Sequence, residues 1–202
     1  MKANSTDTGD MYARILDTAE TLLRRFGPEK LTVTDVARAM DMSHGNVYRH
    51  IPSKAALRAA VIARWLEKVS NLTDAIAQKT GPADQRLREW LVELAVIKQR
   101  KVTEDAEMLA GAALVVRESP DVEQEHSARL RIQVIKILQD GLKDGTLPHA
   151  GDVGVSASAI LNATFRYHHP DLVAKGGAPE KQLAALQDVV SLILAGLQRS
   201  PE

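Results

Sequence analysis

The sequence predicts an all-α fold, and three observations carry that reading. Aromatic residues make up only 3% of the 202 residues, and strand-like runs of Val, Ile, Tyr and Phe are few. The long segments are built mainly from Ala, Leu, Glu, Gln, Arg and Lys, which favour helix. Apolar residues recur at spacings of three and four, and Gly and Pro punctuate the segments.

The first ten residues are polar and are expected to fray. A first helix over 11–26 follows, with Tyr12, Ile15, Leu16, Ala19, Leu22, Leu23 and Phe26 on one face, and Gly27-Pro28 ends it. Thr32 caps a second helix, with Asp35 completing a capping-box variant and Val33, Val36, Ala37 and Met40 on its inner side. Asp41 suits a left-handed or hydrogen-bonded turn, and Met42 is placed to plug the corner behind it. Ser43 caps a third helix over 44–49, which Pro52 stops. Ser53 caps a long helix to about Gln78, with Leu57, Val61, Trp65, Leu66, Val69 and Leu72 facing inward.

Gly81-Pro82 breaks the chain. Five more helices are expected over 83–100, 103–117, 120–143, 152–168 and 179–198. The breaks are Ser119-Pro120, Gly145 to Pro148, Pro170, and Gly176 to Pro179. The result is a nine-helix chain: a helical head over 11–55, a connecting helix over 53–80, and a body over 81–198.

Composition narrows the function. The chain has no cysteine, which removes disulfide and thiol chemistry. No window of 18 consecutive apolar residues and no signal-peptide pattern is present, so a soluble cytoplasmic protein without a membrane partner is expected. Formal net charge is zero, but residues 24–64 hold eight basic residues against three acids, a local excess of five. No nucleophile–base pair or converging acids point to an enzyme, and no cofactor motif is seen. Adjacent His168 and His169 point about 100° apart on a helix and make a poor metal site. They are expected instead at a helix C-terminus ended by Pro170.

The stretch 41–54, DMSHGNVYRHIPSK, reads as the turn and second helix of a helix-turn-helix. A helix entering the major groove presents only its N-terminal residues to base edges. There stand His44 and Asn46, able to hydrogen-bond to bases, and Gly45, which admits close backbone approach. Tyr48, Arg49, His50 and Lys54 are placed for phosphates, with hydroxyls from Thr32 and Ser53 beside helix N-termini. Thr34 and Ser43 complete the candidate DNA-binding set. The same pattern also suits a helical interaction module without specific DNA binding, in which His50 packs inward and Asn46 is an ordinary exposed residue.

The run from Thr32 to Leu57, with ILDTAETLLRRFG upstream, resembles the tetracycline-repressor-like (TetR) family of transcriptional regulators. The matching positions are Thr32, Val33, Val36, Ala37, Ser43, Gly45, Val47, Tyr48, His50, Ser53, Lys54 and Leu57. Asp41 departs from the usual Gly. Ile51-Pro52 departs from the usual Phe and variable residue, with Ile51 expected to fill the same apolar slot. The resemblance implies a homodimer on a palindromic double-stranded DNA operator, most often as a repressor, with a body that binds a small effector. An activator or corepressor-dependent regulator of the same fold remains the alternative.

For the body, the apolar residues of 179–198 and the small residues of 152–168 point to dimerisation through the last two helices. Trp65, Trp90, Met108, Leu109, Phe165, Arg166 and His168 are candidate lining for a largely apolar effector pocket, with Leu114 and Tyr167 as further apolar candidates and Arg117 and Asn162 as further polar anchors. Core packing is the alternative role for each one.

Overall fold

The computed structural model describes residues 4–198. Among the described residues the regular structure is entirely helical: α1 Asn4–Phe26, α2 Val33–Ala39, α3 His44–Tyr48, α4 Lys54–Ala77, α5 Ala83–Glu104, α6 Ala106–Glu118, α7 Pro120–Asp144, α8 Val153–Thr164, α9 Pro170–Lys175 and α10 Pro179–Gln198. The nine expected helices are all present. The polar start, expected to fray, is helical from Asn4 onward, while residues 1–3 lie outside the described residues.

Around Pro170 the outcome differs from the expectation of a simple stop. The eighth helix ends as α at Thr164 and tightens into a 3-10 turn over Phe165–Tyr167. Pro170 then opens the six-residue α9. Proline lacks an N–H and has a fixed φ, so it suits the first turn of a helix as well as it forbids continuation of the previous one.

By contacts the chain divides into two compact units: residues 1–65 with 105–123, and residues 66–104 with 124–202. The expected segments over 11–55, 53–80 and 81–198 cut the chain differently, because α6 packs with the head. Sequence order alone does not reveal this.

In the first unit, Ile15, Ala19 and Leu23 of α1 and Leu57, Val61 and Ile62 of α4 are fully buried. Met108, Leu109, Ala112 and Val115 of α6 are buried too, and Gly111 brings the α6 backbone to the Ile62 and Leu23 side chains. Ion pairs fasten the same elements. Arg24 of α1 holds Asp105 through Nε and Nη2 at 3.1 Å each. Arg58 of α4 meets Glu118 of α6 at 2.5 Å, and Arg64 meets Asp17 and Glu20 of α1 at 2.8 and 2.6 Å. The inner faces are narrower than the periodicity implies: Tyr12, Phe26 and Leu72 are 38%, 46% and 57% exposed, so the flanks of each stripe face solvent.

The turn between α2 and α3 is built from backbone bonds. The Met42 N–H donates to Ala37 O at 2.9 Å and the Asp41 N–H to Arg38 O at 3.2 Å, the pair of bonds that defines a Schellman ending. Asp41 takes φ 53° there, the one positive φ outside glycine among the described residues. Asp tolerates this region less well than Gly. Asp41→Gly is therefore expected to stabilise the head by about 1 kcal/mol, a rise of roughly 2–4 °C in a thermal melt. An unchanged or lower melting temperature would show that the Asp side chain offsets the strain.

In the second unit, Leu87, Trp90 and Leu94 of α5, Val134, Ile137 and Leu138 of α7, Ile160 of α8 and Leu186 and Val190 of α10 form the core. Arg86, 6% exposed, donates from Nη1 to Ala77 O at 2.9 Å and to Asp140 at 3.1 Å. Lys136 also donates to Asp140, and this bond, ahead of Arg86, holds the Asp140 carboxyl below its ordinary range against the effect of burial.

Candidate functional site

Three hydroxyls cap the helices of the head. Thr32 Oγ accepts from the Asp35 N–H at 3.1 Å and donates to Asp35 Oδ2 at 2.5 Å, so the capping-box variant forms and occupies that hydroxyl. Ser43 Oγ accepts from the Asn46 N–H at 3.3 Å, and Ser53 Oγ accepts from the Ala56 N–H at 3.0 Å. The two serine hydroxyl protons remain for an outside acceptor. Thr34 is half-buried on α2.

Buried Val47 and Ile51, 0% and 2% exposed, anchor α3 and the turn after it, so Ile51 fills the expected slot. Around that anchor His44, Gly45, Tyr48 and Arg49 are exposed, and Asn46 and His50 are half-buried. Arg49 Nη2 donates to Asn46 Oδ1 at 2.8 Å. That bond orients the amide and leaves its NH2 group for an acceptor such as N7 of a purine. A Cβ built on Gly45 meets no atom within 4 Å, so nothing inside the free head requires glycine there.

The basic excess of 24–64 is partly spent inside the protein. Arg24, Arg38, Arg58 and Arg64 each face a carboxylate. Arg25, Lys30, Arg49 and Lys54 have no carboxylate partner among the described residues; Lys54 Nζ donates instead to the Glu29 carbonyl. The positive surface is thus smaller than the charge count implies and centres on the two ends of the helix-turn-helix.

Comparison with known proteins decides the family. Residues 15–61 match the family of bacterial regulatory proteins, tetR family, and residues 83–190, more than half of the chain, match the tetracyclin repressor-like C-terminal domain. The chain belongs to the TetR family. It is a transcriptional regulator with a helix-turn-helix head, and DNA binding and dimerisation are traits of its family. A transcriptional repressor, KstR from Mycolicibacterium smegmatis, is 32% identical over 87 residues. That match spans 43% of this chain and 43% of the repressor, so less than half of that relative is covered. In fold the chain is similar to a TetR-family regulator from Pectobacterium atrosepticum, with TM-score 0.73 and 16% identity over 98% of this chain and 100% of that one. It is also similar to the transcriptional regulator FadR of Bacillus subtilis, solved in complex with stearoyl-CoA, with TM-score 0.68 and 15% identity over 92% and 98%.

The expected pocket residues of this TetR-family chain fall in both units. Trp65, Met108 and Leu109 are buried in the first unit. Trp90 is buried in the second, where its Nε1–H donates to Gln133 Oε1 at 2.9 Å. Phe165 is 41% exposed and Arg166 is exposed, so neither lines the interior of a single chain. Phe165 does meet the histidines: its ring lies 5.7 Å from that of His168, edge-on, and 4.8 Å from that of His169. A groove of about 310 Å³ is lined by Val96, Gln99, Arg100 and Thr103 of α5 and Leu183 of α10. Gln99 Nε2 is buried there without a hydrogen-bond partner.

The interior also holds polar residues on otherwise apolar helix faces. Ser70, Lys98 and His126 each occupy a 4-3-4 stripe: 66-70-73-77, 87-91-94-98 and 126-130-133-137. A polar residue on such a stripe marks a buried polar position in the sequence. Lys98 is 2% exposed, and burial pushes its ammonium down to about 7. His126 Nδ1 lies 3.0 Å from Ser70 Oγ, and burial, then the charges of Lys98, His168 and Arg129, push its imidazole down to about 2. His168 Nε2 lies 3.4 Å from Leu161 O, and burial and then Lys98 push it down to about 4. The helix end expected to favour a charged His168 is therefore outweighed by desolvation.

A pH dependence follows. In the unfolded chain both imidazoles titrate near 6.5, so below that pH the unfolded state binds more protons than the native one. The contribution of the imidazoles is fully present above pH 6.5 and that of His168 is lost as pH falls toward 4, its folded value. Lys98 acts in the same direction between about 7 and its ordinary 10.5. The melting temperature is expected to fall on acidification from pH 6.5 to 4, and His168→Gln is expected to flatten that slope. A slope unchanged by the substitution would refute the assignment.

Proposed function

We propose that this chain represses transcription from the bacterial cytoplasm, binding a palindromic operator as a homodimer and leaving it when a small, largely apolar effector occupies the body. The observation that carries the reading is α3: a five-residue helix anchored by Val47 that presents Gly45 and the Arg49-held amide of Asn46 outward. His44, Gly45 and Asn46 face base edges. Tyr48, Arg49, His50, Ser43, Ser53 and Lys54 face phosphates, with Lys54 exchanging the Glu29 carbonyl for a phosphate oxygen. Thr32 and Thr34 line the edge of the same surface.

Two recognition helices must stand about 34–36 Å apart to read one DNA face together. That requires a two-fold partner. Val155 on α8 and Leu192 on α10 are 68% and 75% exposed, an expensive arrangement for large aliphatic side chains unless a second copy covers them. Leu192→Asp is expected to convert the dimer to monomer by light scattering and to weaken operator binding at least tenfold. A variant that remains dimeric would move the interface elsewhere. The likeness to a regulator solved with stearoyl-CoA supports an apolar effector.

The function itself is tested by fluorescence anisotropy of the protein against fragments of its own upstream region, at several salt concentrations, with random duplex as control. Tight binding to one fragment with a log–log salt slope of several units is the expected result. Equal, weak binding to every duplex would place the operator elsewhere or require a corepressor. No binding at low salt would favour a helical interaction module.

A further inference from the structure

We propose that the groove between α5 and α10 binds a small, uncharged, largely apolar molecule that carries a carbonyl oxygen, with Gln99 as the donor to that oxygen. Such a site goes beyond the effector role proposed above: it is occupied whether or not its ligand releases the operator.

The groove encloses about 310 Å³, at the small end of the range for ligand sites. Its walls belong to the second unit alone, with Val96 from α5 and Pro179 and Leu183 from the start of α10. Val96 and Leu183 are half-buried and Pro179 is exposed, so each keeps apolar surface for a ligand to cover. Leu183 and Leu192 stand nine residues apart on α10, and about 100° per residue places them on opposite faces. A dimer formed through Leu192 therefore turns the other side of that helix to its partner.

Gln99 is the most deeply buried side chain of the groove, 6% exposed. Its Nε2 is buried and has no hydrogen-bond partner among the described residues. A desolvated amide donor without an acceptor costs free energy that a bound acceptor recovers.

The lining selects the class of ligand. An N–H donates, so the ligand must bring an acceptor. Arg100 and Glu180, both exposed, line the same groove with opposite charges. A carboxylate ligand would meet Glu180 and an ammonium ligand would meet Arg100, and either ion would lose water against the apolar walls. The Thr103 hydroxyl donates to the Arg100 carbonyl at 3.3 Å, so its proton is committed within α5. A ketone, ester or lactone gives Gln99 its acceptor and covers Val96, Pro179 and Leu183 without setting a charge against either rim residue.

The test titrates the intact protein with acetophenone, ethylbenzene, benzoate and benzylamine, which share one ring and differ at its substituent. Calorimetry gives the affinities. The side-chain amide signal of Gln99 in nitrogen-15 NMR, assigned by its loss in Gln99→Met, reports the contact. Acetophenone is expected to shift that signal and to bind roughly fivefold or more tighter than each of the other three. Gln99→Met is expected to melt no lower than the parent, because it removes the unpaired donor, and to bind acetophenone and ethylbenzene alike. Val96→Trp is expected to fill the groove and abolish binding of both. The site is overturned if the parent fails to bind acetophenone, binds ethylbenzene equally well, or binds either ion more tightly. Retention of the ketone preference by a folded Gln99→Met overturns it too, as does undiminished binding by a folded Val96→Trp. Operator anisotropy in the same titrations separates the two readings. Gln99-dependent binding upholds the site even where the operator stays bound. Operator release by acetophenone that is indifferent to Gln99 upholds the effector role and overturns the site.

Discussion

Replacing Gly45 with leucine is expected to leave the head folded and to reduce operator affinity by about two orders of magnitude. The two halves of that expectation come from different physics. Within the protein, a side chain at position 45 meets nothing within 4 Å, and leucine is the better helix former by roughly 0.5–1 kcal/mol. Thermal melting should therefore stay level or rise. Against DNA, position 45 lies on the exposed N-terminal turn of α3, between His44 and Asn46. Four added carbons there hold the backbone away from the base edges and strain every phosphate contact at once. Anisotropy on operator and random duplex separates the outcomes. A comparable loss on both would mean that Gly45 governs general docking; a loss confined to the operator would place it at the base edges. Unchanged operator affinity would remove α3 from the interface.

Gln133→Leu carries the largest expected effect on stability. The amide of Gln133 joins three partners in the second unit: Oε1 accepts from Trp90 Nε1 at 2.9 Å and from Thr73 Oγ at 2.8 Å, and Nε2 donates to Ser70 O at 2.9 Å. Thr73 has a second acceptor in Ser70 O at 3.1 Å, so its proton can turn there. Trp90, 0% exposed, has no such alternative among the described bonds. Leucine keeps most of the volume and leaves the indole N–H without an acceptor, at a cost of about 2–3 kcal/mol. Melting should fall by roughly 4–12 °C. Adding Trp90→Phe removes the orphaned donor, so the double variant is expected to melt higher than Gln133→Leu alone. A double variant with additive losses would show that the network matters through packing and not through the hydrogen bond.

Much of the head was legible because its signals are local. Thr32, Ser43 and Ser53 cap as their positions imply, since an N-cap bond spans only three residues. Asp41 takes the left-handed turn that its short side chain allows. The body was less legible at its ends. In sequence Pro170 signals a stop, yet proline stops one helix and starts another by the same geometry, and it opens α9.

The helices, their order, the helix-turn-helix and the family are legible in the sequence, because periodicity, caps and breakers act over a few residues of chain. Packing in three dimensions set which side chains share an environment. It packed α6 with the head through Arg24–Asp105 and Arg58–Glu118, pairs 81 and 60 residues apart in sequence. It spent four of the eight head cations on carboxylates, which a charge count cannot register. It also buried Lys98 of α5 and set His126 of α7 3.0 Å from Ser70 of α4. Burial and charge act through space, and a residue's spacing along the chain specifies its face on a helix but not what that face meets.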